Sequence, residues 1–398
     1  MNPEIDRMRR ADSAVARYKA ATAGLSLLGL VLPDDLEGHR ERFLRAAERG
    51  RWDNPRFTYR EIDDGTSQPL RRICEETASH DDPWHRLIAD EAARYLDRYR
   101  ACASHDAARI TEATSRENGT PDEGLLADAL GLLRKGPAEE GQGQGQAAEQ
   151  GQAPELSADD AAAAIADVLA QERLADWTVR IRLGAAARMS VSTADRSVRI
   201  RAGIQLSEDE LVRLIVHEIG THVFRWVNAL RGAQILGLQL SGHTATEEGF
   251  AVWNEQRAAD GNGLDRRFAL RVVAVDAALQ GSFTDVVRAL TPYTSVGTAF
   301  DVAVRVKRGL VDTSVPGGFV KDHVYLAGFR MLEKHLNLRP GDHDLLMSSK
   351  WPLHRLDLLR DAEIPAQLGE DLRRPDEAFV ERARVLVRKR RRGPTRRG

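Results

Sequence analysis

The sequence predicts a mostly helical α+β fold, with a small antiparallel sheet placed directly before a buried helix. Three observations predict it. Apolar residues recur at three- and four-residue spacing through much of the chain. A single region, residues 178–201, alternates apolar and polar with period two. The segment that follows opens on a capping-box pattern and continues into a run of large aliphatic residues. With 398 residues the chain can bury a sizeable core, as one large domain or as two.

Composition narrows the class. An apolar fraction of 42% and a charged fraction of 30% are those of an ordinary soluble globular protein. A formal net charge of -2 gives no long-range field that would favour nucleic acid or a membrane as partner. The two cysteines, Cys74 and Cys102, have no CxxC spacing and are expected as free thiols in a reducing cytoplasm.

Residues 1–135 read as an N-terminal helical region, clearest where Leu87, Ile88, Ala92, Tyr95, Leu96 and Tyr99 mark one helical face. Trp52 to Tyr59 reads as a turn leading into a short extended stretch. The apolar run at 20–32 follows Arg9, Arg10, Arg17 and Lys19 and resembles a targeting signal. It is shorter than the ~20 residues of a membrane span and ends at Pro33-Asp34-Asp35 without a small-residue cleavage site. A buried helix end is expected there, and no membrane partner.

Residues 136–156 are rich in glycine and glutamine and hold too little apolar surface to offset the entropy of ordering; a flexible linker or loop insertion is expected. A second region, 157–385, opens with Ser157 as cap of a helix over 158–172. Strands are expected at Thr178–Leu183, Met189–Ser192 and Ser197–Arg201, with a turn at Asp195-Arg196 and the alternating arginines on a solvated face. Residues 386–398 form a basic tail, expected to be disordered. No aromatic residue is interleaved there, and no nucleic-acid partner is expected.

The chemistry concentrates after residue 206. Ser207 is a good N-cap, Glu210 completes the capping box, and Glu208 and Asp209 suit the positive end of the helix dipole. Leu211, Leu214, Ile215 and Val216 then carry the helix into the core, so that His217 and Glu218 arrive buried. A buried carboxylate is expensive unless it is paired, protonated or near a metal. His217-Glu218-Ile219-Gly220-Thr221-His222 departs from the H-E-x-x-H zinc signature by one residue. On an ideal α-helix a five-residue separation leaves the two imidazoles about 140° apart. A π-type distortion around Gly220 would restore their convergence.

A third ligand is expected from Thr246-Glu247-Glu248-Gly249-Phe250-Ala251, which reads as the start of a second helix. One of its glutamates would complete a His2Glu set for one zinc ion. Glu218 is then left as a general base that takes a proton from water and later returns it to the leaving amine.

The motif H-E-I-G-T-H, followed by E-E-G-F-A and by Gly317-Gly318-Phe319-Val320-Lys321-Asp322-His323-Val324-Tyr325-Leu326, resembles the tyrosine carboxypeptidase family. That family holds the microtubule-associated tyrosine carboxypeptidases and bacterial QEGLA-motif proteins. The resemblance runs from about Asn54 to Leu326 and implies a zincin-like fold. It also implies His217, His222 and Glu248 as zinc ligands and Glu218 as base. Glu247 stands where bacterial relatives typically carry glutamine, Phe250 replaces a leucine, and Val320 stands where threonine is expected. A carboxypeptidase must also hold a free C-terminal carboxylate. Lys321, Arg305 and Arg308 are the candidates, with Tyr325 as a donor to the tetrahedral intermediate.

The expected function is therefore a cytoplasmic zinc metallocarboxypeptidase that removes C-terminal residues, aromatic ones among them, from peptides or proteins. A zinc endopeptidase and a non-catalytic zinc-containing regulatory protein are the alternatives.

Overall fold

The computed structural model describes residues 3–60, 67–78, 80–135, 156–183, 187–258 and 266–391. Helix α1 (Asp12–Ala23) ends at Gly24 and is followed by the short helix Leu27–Val31, capped by the Ser26 side chain. The stretch Asp12–Ala47 contains an 18-residue window apolar enough to match a membrane span. Here it is broken by turns at 24–26 and 32–35. Val31 and Leu25 are buried, but Leu28 and Leu32 stay 52% and 53% exposed, so the run at 20–32 is only in part a buried helix end.

Helices α2 (Pro83–Ala103), α3 (Ala107–Asn118) and α4 (Glu123–Arg134) each start at an aspartate, Asp82, Asp106 or Asp122, whose carboxylate accepts from an orphan backbone N–H. The expected extended stretch is present: Arg56 bridges to Asp312, and the Phe57 side chain inserts into the core.

Residues 136–155 of the expected linker lie outside the described residues, while Leu156 is already in strand β1 (Leu156–Ser157). Ser157 and Asp160 form a reciprocal capping box for α5 (Ala158–Gln171). Strands β2 (Thr178–Arg182), β3 (Met189–Ser192) and β4 (Ser197–Arg201) form a sheet of order β2-β4-β3. This sheet is mixed, which corrects the expected antiparallel one: β3 and β4 are an antiparallel hairpin, but β2 runs parallel to β4. Strand β4 therefore lies at the centre, between β2 and β3. Val198 and Ile200 of β4 are buried, whereas the arginines of β2 are solvated. Strand β5 (Gln205–Leu206) pairs antiparallel with β1.

A continuous helical rod follows, made of α6 (Glu208–Ile215), a π-helical segment (Val216–Val223) and α7 (Phe224–Gly232). Helix α8 (His243–Ala258) starts three residues before Thr246. Then come α9 (Arg266–Gln280), α10 (Val296–Lys307) and α11 (Val324–Leu338). Lys321 thus precedes α11 in a turn. The last helix, α12 (Glu377–Arg391), runs into the stretch expected to be a disordered tail. Its arginines are recruited by acids far away in sequence: Arg388 and Arg391 by Glu208, Arg390 by Asp167.

Two large hydrophobic cores and a smaller cluster around Val31, Cys102, Ile110, Leu310 and Phe319 hold these elements. One large core joins Met8, Trp84 and Ile88 to Ile215, Val216 and Ile219 of the rod; the other joins Phe43, Phe57 and Leu133 to Phe268, Phe283 and Phe300. The N-terminal helices and the rod therefore share the first of these cores. The result is a mostly helical α+β fold.

Candidate metal centre

The rod carries His217 and His222 through its π-helical segment, and the widened turn has local causes. With roughly 4.4 residues per turn, a π-helix returns residue i+5 close to the azimuth of residue i. The Thr221 hydroxyl donates to the Val216 carbonyl five residues back, 3.1 Å away, following the same wide spacing. Gly220 faces the start of α12: a Cβ there would lie 2.9 Å from Pro375 Cβ and 3.0 Å from Phe379 Cε1. A larger residue at this position would have to displace Pro375 or Phe379. The imidazole centroids are 5.0 Å apart at 77°.

Helix α8 supplies the opposing carboxylate. Glu248 Oε2 lies 3.7 Å from His217 Nε2 and 3.8 Å from His222 Nε2. The three side chains offer one ligand atom each, all within 4.8 Å of one another. Atoms bound about 2.1 Å from a tetrahedral zinc sit roughly 3.4 Å apart. The observed spacing is too long for direct hydrogen bonds and close to what an ion between them requires, so the donor set fits zinc. Glu247, the neighbouring alternative, points elsewhere.

The other ring nitrogens face acids as well. His217 Nδ1 is 3.2 Å from Glu255 Oε2, and His222 Nδ1 is 2.6 Å from Glu247 Oε1. Glu247 also pairs with Arg225, which is fully buried, and with Lys350. Arg225 Nε donates to the carbonyls of Leu346 and Ser349 at 2.7 and 2.9 Å, and Lys350 Nζ donates to the His222 carbonyl at 3.2 Å. Burial would push the Glu247 carboxyl up, but Arg225, Lys350 and His222 hold it well below the carboxylate range. Burial would likewise raise Glu248, yet His217, His222 and Lys321 bring it down to about 2. Glu218 goes the other way: burial, assisted by Glu248 and Glu255, raises its carboxyl despite the two imidazoles. A raised carboxyl suits a group that must both accept and return a proton.

Of the four expected substrate-binding residues, three lie within electrostatic reach of Glu248: Lys321, Arg305 and Tyr325. Arg305 pairs with the buried Asp322. Tyr325 stacks on Phe268 at 5.3 Å, with the Arg271 guanidinium 4.5 Å from its ring, and burial raises its phenol. Arg308 sits further back. It lies over the Phe319 ring at 4.5 Å and 3.9 Å from Asp322, and its Nε has no partner among the described residues. Glu255, Arg225 and Lys350 were not found by sequence reasoning. Glu255 had a signal, since it lies two turns from Glu248 on one helix face; Lys350 had none.

Fold and centre together define a mostly helical α+β protein in which a largely buried His–His–Glu set lies within electrostatic reach of Lys321 and Arg305. Residues 41–364 match the family model of the microtubule-associated tyrosine carboxypeptidases, and the chain belongs to that family. It is 36% identical over 130 residues to microtubule-associated tyrosine carboxypeptidase 1 of Mus musculus, covering 31% of this chain and 27% of that protein. The Rattus norvegicus and Homo sapiens proteins of the same name are each 35% identical over 130 residues, with the same coverage. The matched stretch spans about a quarter of the length of these relatives.

Proposed function

We propose that the chain is a zinc-dependent metallocarboxypeptidase of zincin-like arrangement, with His217, His222 and Glu248 as ligands of one ion and Glu218 as general base. The observation that carries this reading is the convergence of His217 Nε2, His222 Nε2 and Glu248 Oε2 beside the buried Glu218 carboxyl. The chemistry that zinc supplies when bound is Lewis-acid activation of water and of the scissile carbonyl. Glu218 takes the proton of the attacking water and passes it to the leaving amine. Lys321 and Arg305 bind the free C-terminal carboxylate of the substrate, and Tyr325, kept protonated by burial, donates to the developing oxyanion. Arg308 supports these residues from behind through Asp322.

The relatives are named for tyrosine, so the proposed substrate is a peptide or protein with a C-terminal tyrosine or another aromatic residue. Cys74 and Cys102 are both unpaired, in keeping with the proposed cytoplasmic setting.

The test uses purified, zinc-loaded protein and a peptide library varied at its C-terminus. Release of single C-terminal residues, abolished by amidating the peptide, is the expected result. Cleavage of amidated peptides would instead identify an endopeptidase. Zinc retained by a chain that cleaves no peptide would favour a regulatory protein.

A further inference from the structure

Both imidazoles of the proposed zinc pair turn their second ring nitrogen to a carboxylate of the same helix. Glu255 meets His217 Nδ1 at 3.2 Å and Glu247 meets His222 Nδ1 at 2.6 Å. One helix, α8, thus carries Glu248 toward the ion and two acids behind the histidines. Glu248 and Glu255 are seven residues apart and share a face, and Glu247 is offset by about 100° toward His222.

We propose that Glu255 and Glu247 are positioning residues, each accepting the Nδ1–H of one ligand histidine so that its Nε2 is held toward zinc. This inference rests on the zinc reading above. A buried imidazole that ligates through one nitrogen leaves the other N–H to be satisfied, and a carboxylate there both fixes the ring and increases its basicity.

The two supports differ in how they are held. Among the described residues, Glu255 has His217 as its hydrogen-bond partner. Glu247 is also gripped by Arg225 and Lys350. Arg225 in turn holds the backbone of Leu346 and Ser349. Glu247 therefore ties the orientation of His222 to the segment 346–351, while the hydrogen bond of Glu255 among the described residues is made to His217.

Zinc affinity of the full chain, measured by chelator competition, tests this. Glu255→Ala should bind zinc about 10- to 100-fold more weakly than wild type. Glu255→Gln keeps an acceptor and should recover most of that loss. Glu247→Gln keeps an acceptor for His222 but removes the carboxylate that pairs with Arg225 and Lys350, so it should weaken zinc more than Glu255→Gln does. Should Glu255→Ala fail to fold, Glu255→Asp withdraws the carboxylate by one methylene, keeps the charge and should also weaken zinc. Unchanged affinity in the folded Ala or Asp variant overturns the inference, and so does a loss in Glu255→Gln equal to that of Glu255→Ala. If the wild-type chain itself binds no zinc, the zinc reading falls first and takes this inference with it.

Discussion

Gly249 and Gly328 bring α8 and α11 into backbone contact. A Cβ on Gly249 would lie 2.2 Å from the carbonyl carbon of Gly328, and one on Gly328 would lie 1.9 Å from the Ala245 carbonyl oxygen. Neither obstacle is a flexible side chain that can swing aside. This crossing sets Tyr325 of α11, and the turn carrying Lys321 before it, near Glu248 of α8.

Gly328→Ala should therefore destabilise the protein by about 3 kcal/mol or more, since a methyl must be accommodated between two backbones. Thermal unfolding of wild type and variant compares them directly. A variant with an unchanged melting temperature would show that the helices can separate at little cost.

Gly220→Ala is expected to act both on the fold and on the centre. Its Cβ meets Pro375 and Phe379 at 2.9 and 3.0 Å, and Phe379 is 1% exposed with little room to retreat. The expected cost is about 1–3 kcal/mol, with weaker zinc binding because the turn between the histidines must shift. Denaturant melts and zinc titration read the two effects separately.

Glu218→Gln should leave the fold and zinc content intact while lowering turnover by roughly 10²- to 10⁴-fold, because the amide cannot take up the proton of water. Metal analysis together with single-turnover assays checks this. A Gln variant with near wild-type turnover would remove Glu218 from its role.

Acid lability should arise partly away from the ligands. Burial lowers His243 and His323 from the usual 6.5 to about 4. Both stay neutral in the folded protein at pH values where the unfolded chain already protonates them. Their contribution is complete above pH 6.5 and is lost as pH falls from there toward 4, on the order of 3 kcal/mol for each histidine. His323→Asn should flatten the stability profile between those pH values, as measured by denaturant melts at a series of pH values.

Much of the centre was legible because it is local. The Ser207–Glu210 cap, the aliphatic face after it and the five-residue histidine spacing all lie in one helical rod, and that spacing demanded the π-helical turn which the structure contains. The parallel pairing of β2 with β4 was not legible, because alternation fixes which face is buried and leaves strand order open. The helical form of residues 386–391 depends on Glu208 and Asp167, and the grip on Glu247 depends on Lys350. No local pattern announces partners so far apart in sequence.

That grip also orders events in time. Glu247 and Lys350 are separated by 103 residues, and the Phe379 side chain that closes against Gly220 is made later still. A ribosome delivers the histidines and Glu248 well before either. Until Lys350 emerges, Glu247 lacks one of its two cations, and the π-helical turn has no α12 to lean on. A nascent chain therefore holds both histidines and Glu248 before it holds Lys350, which pairs with Glu247, and Phe379, which packs on Gly220.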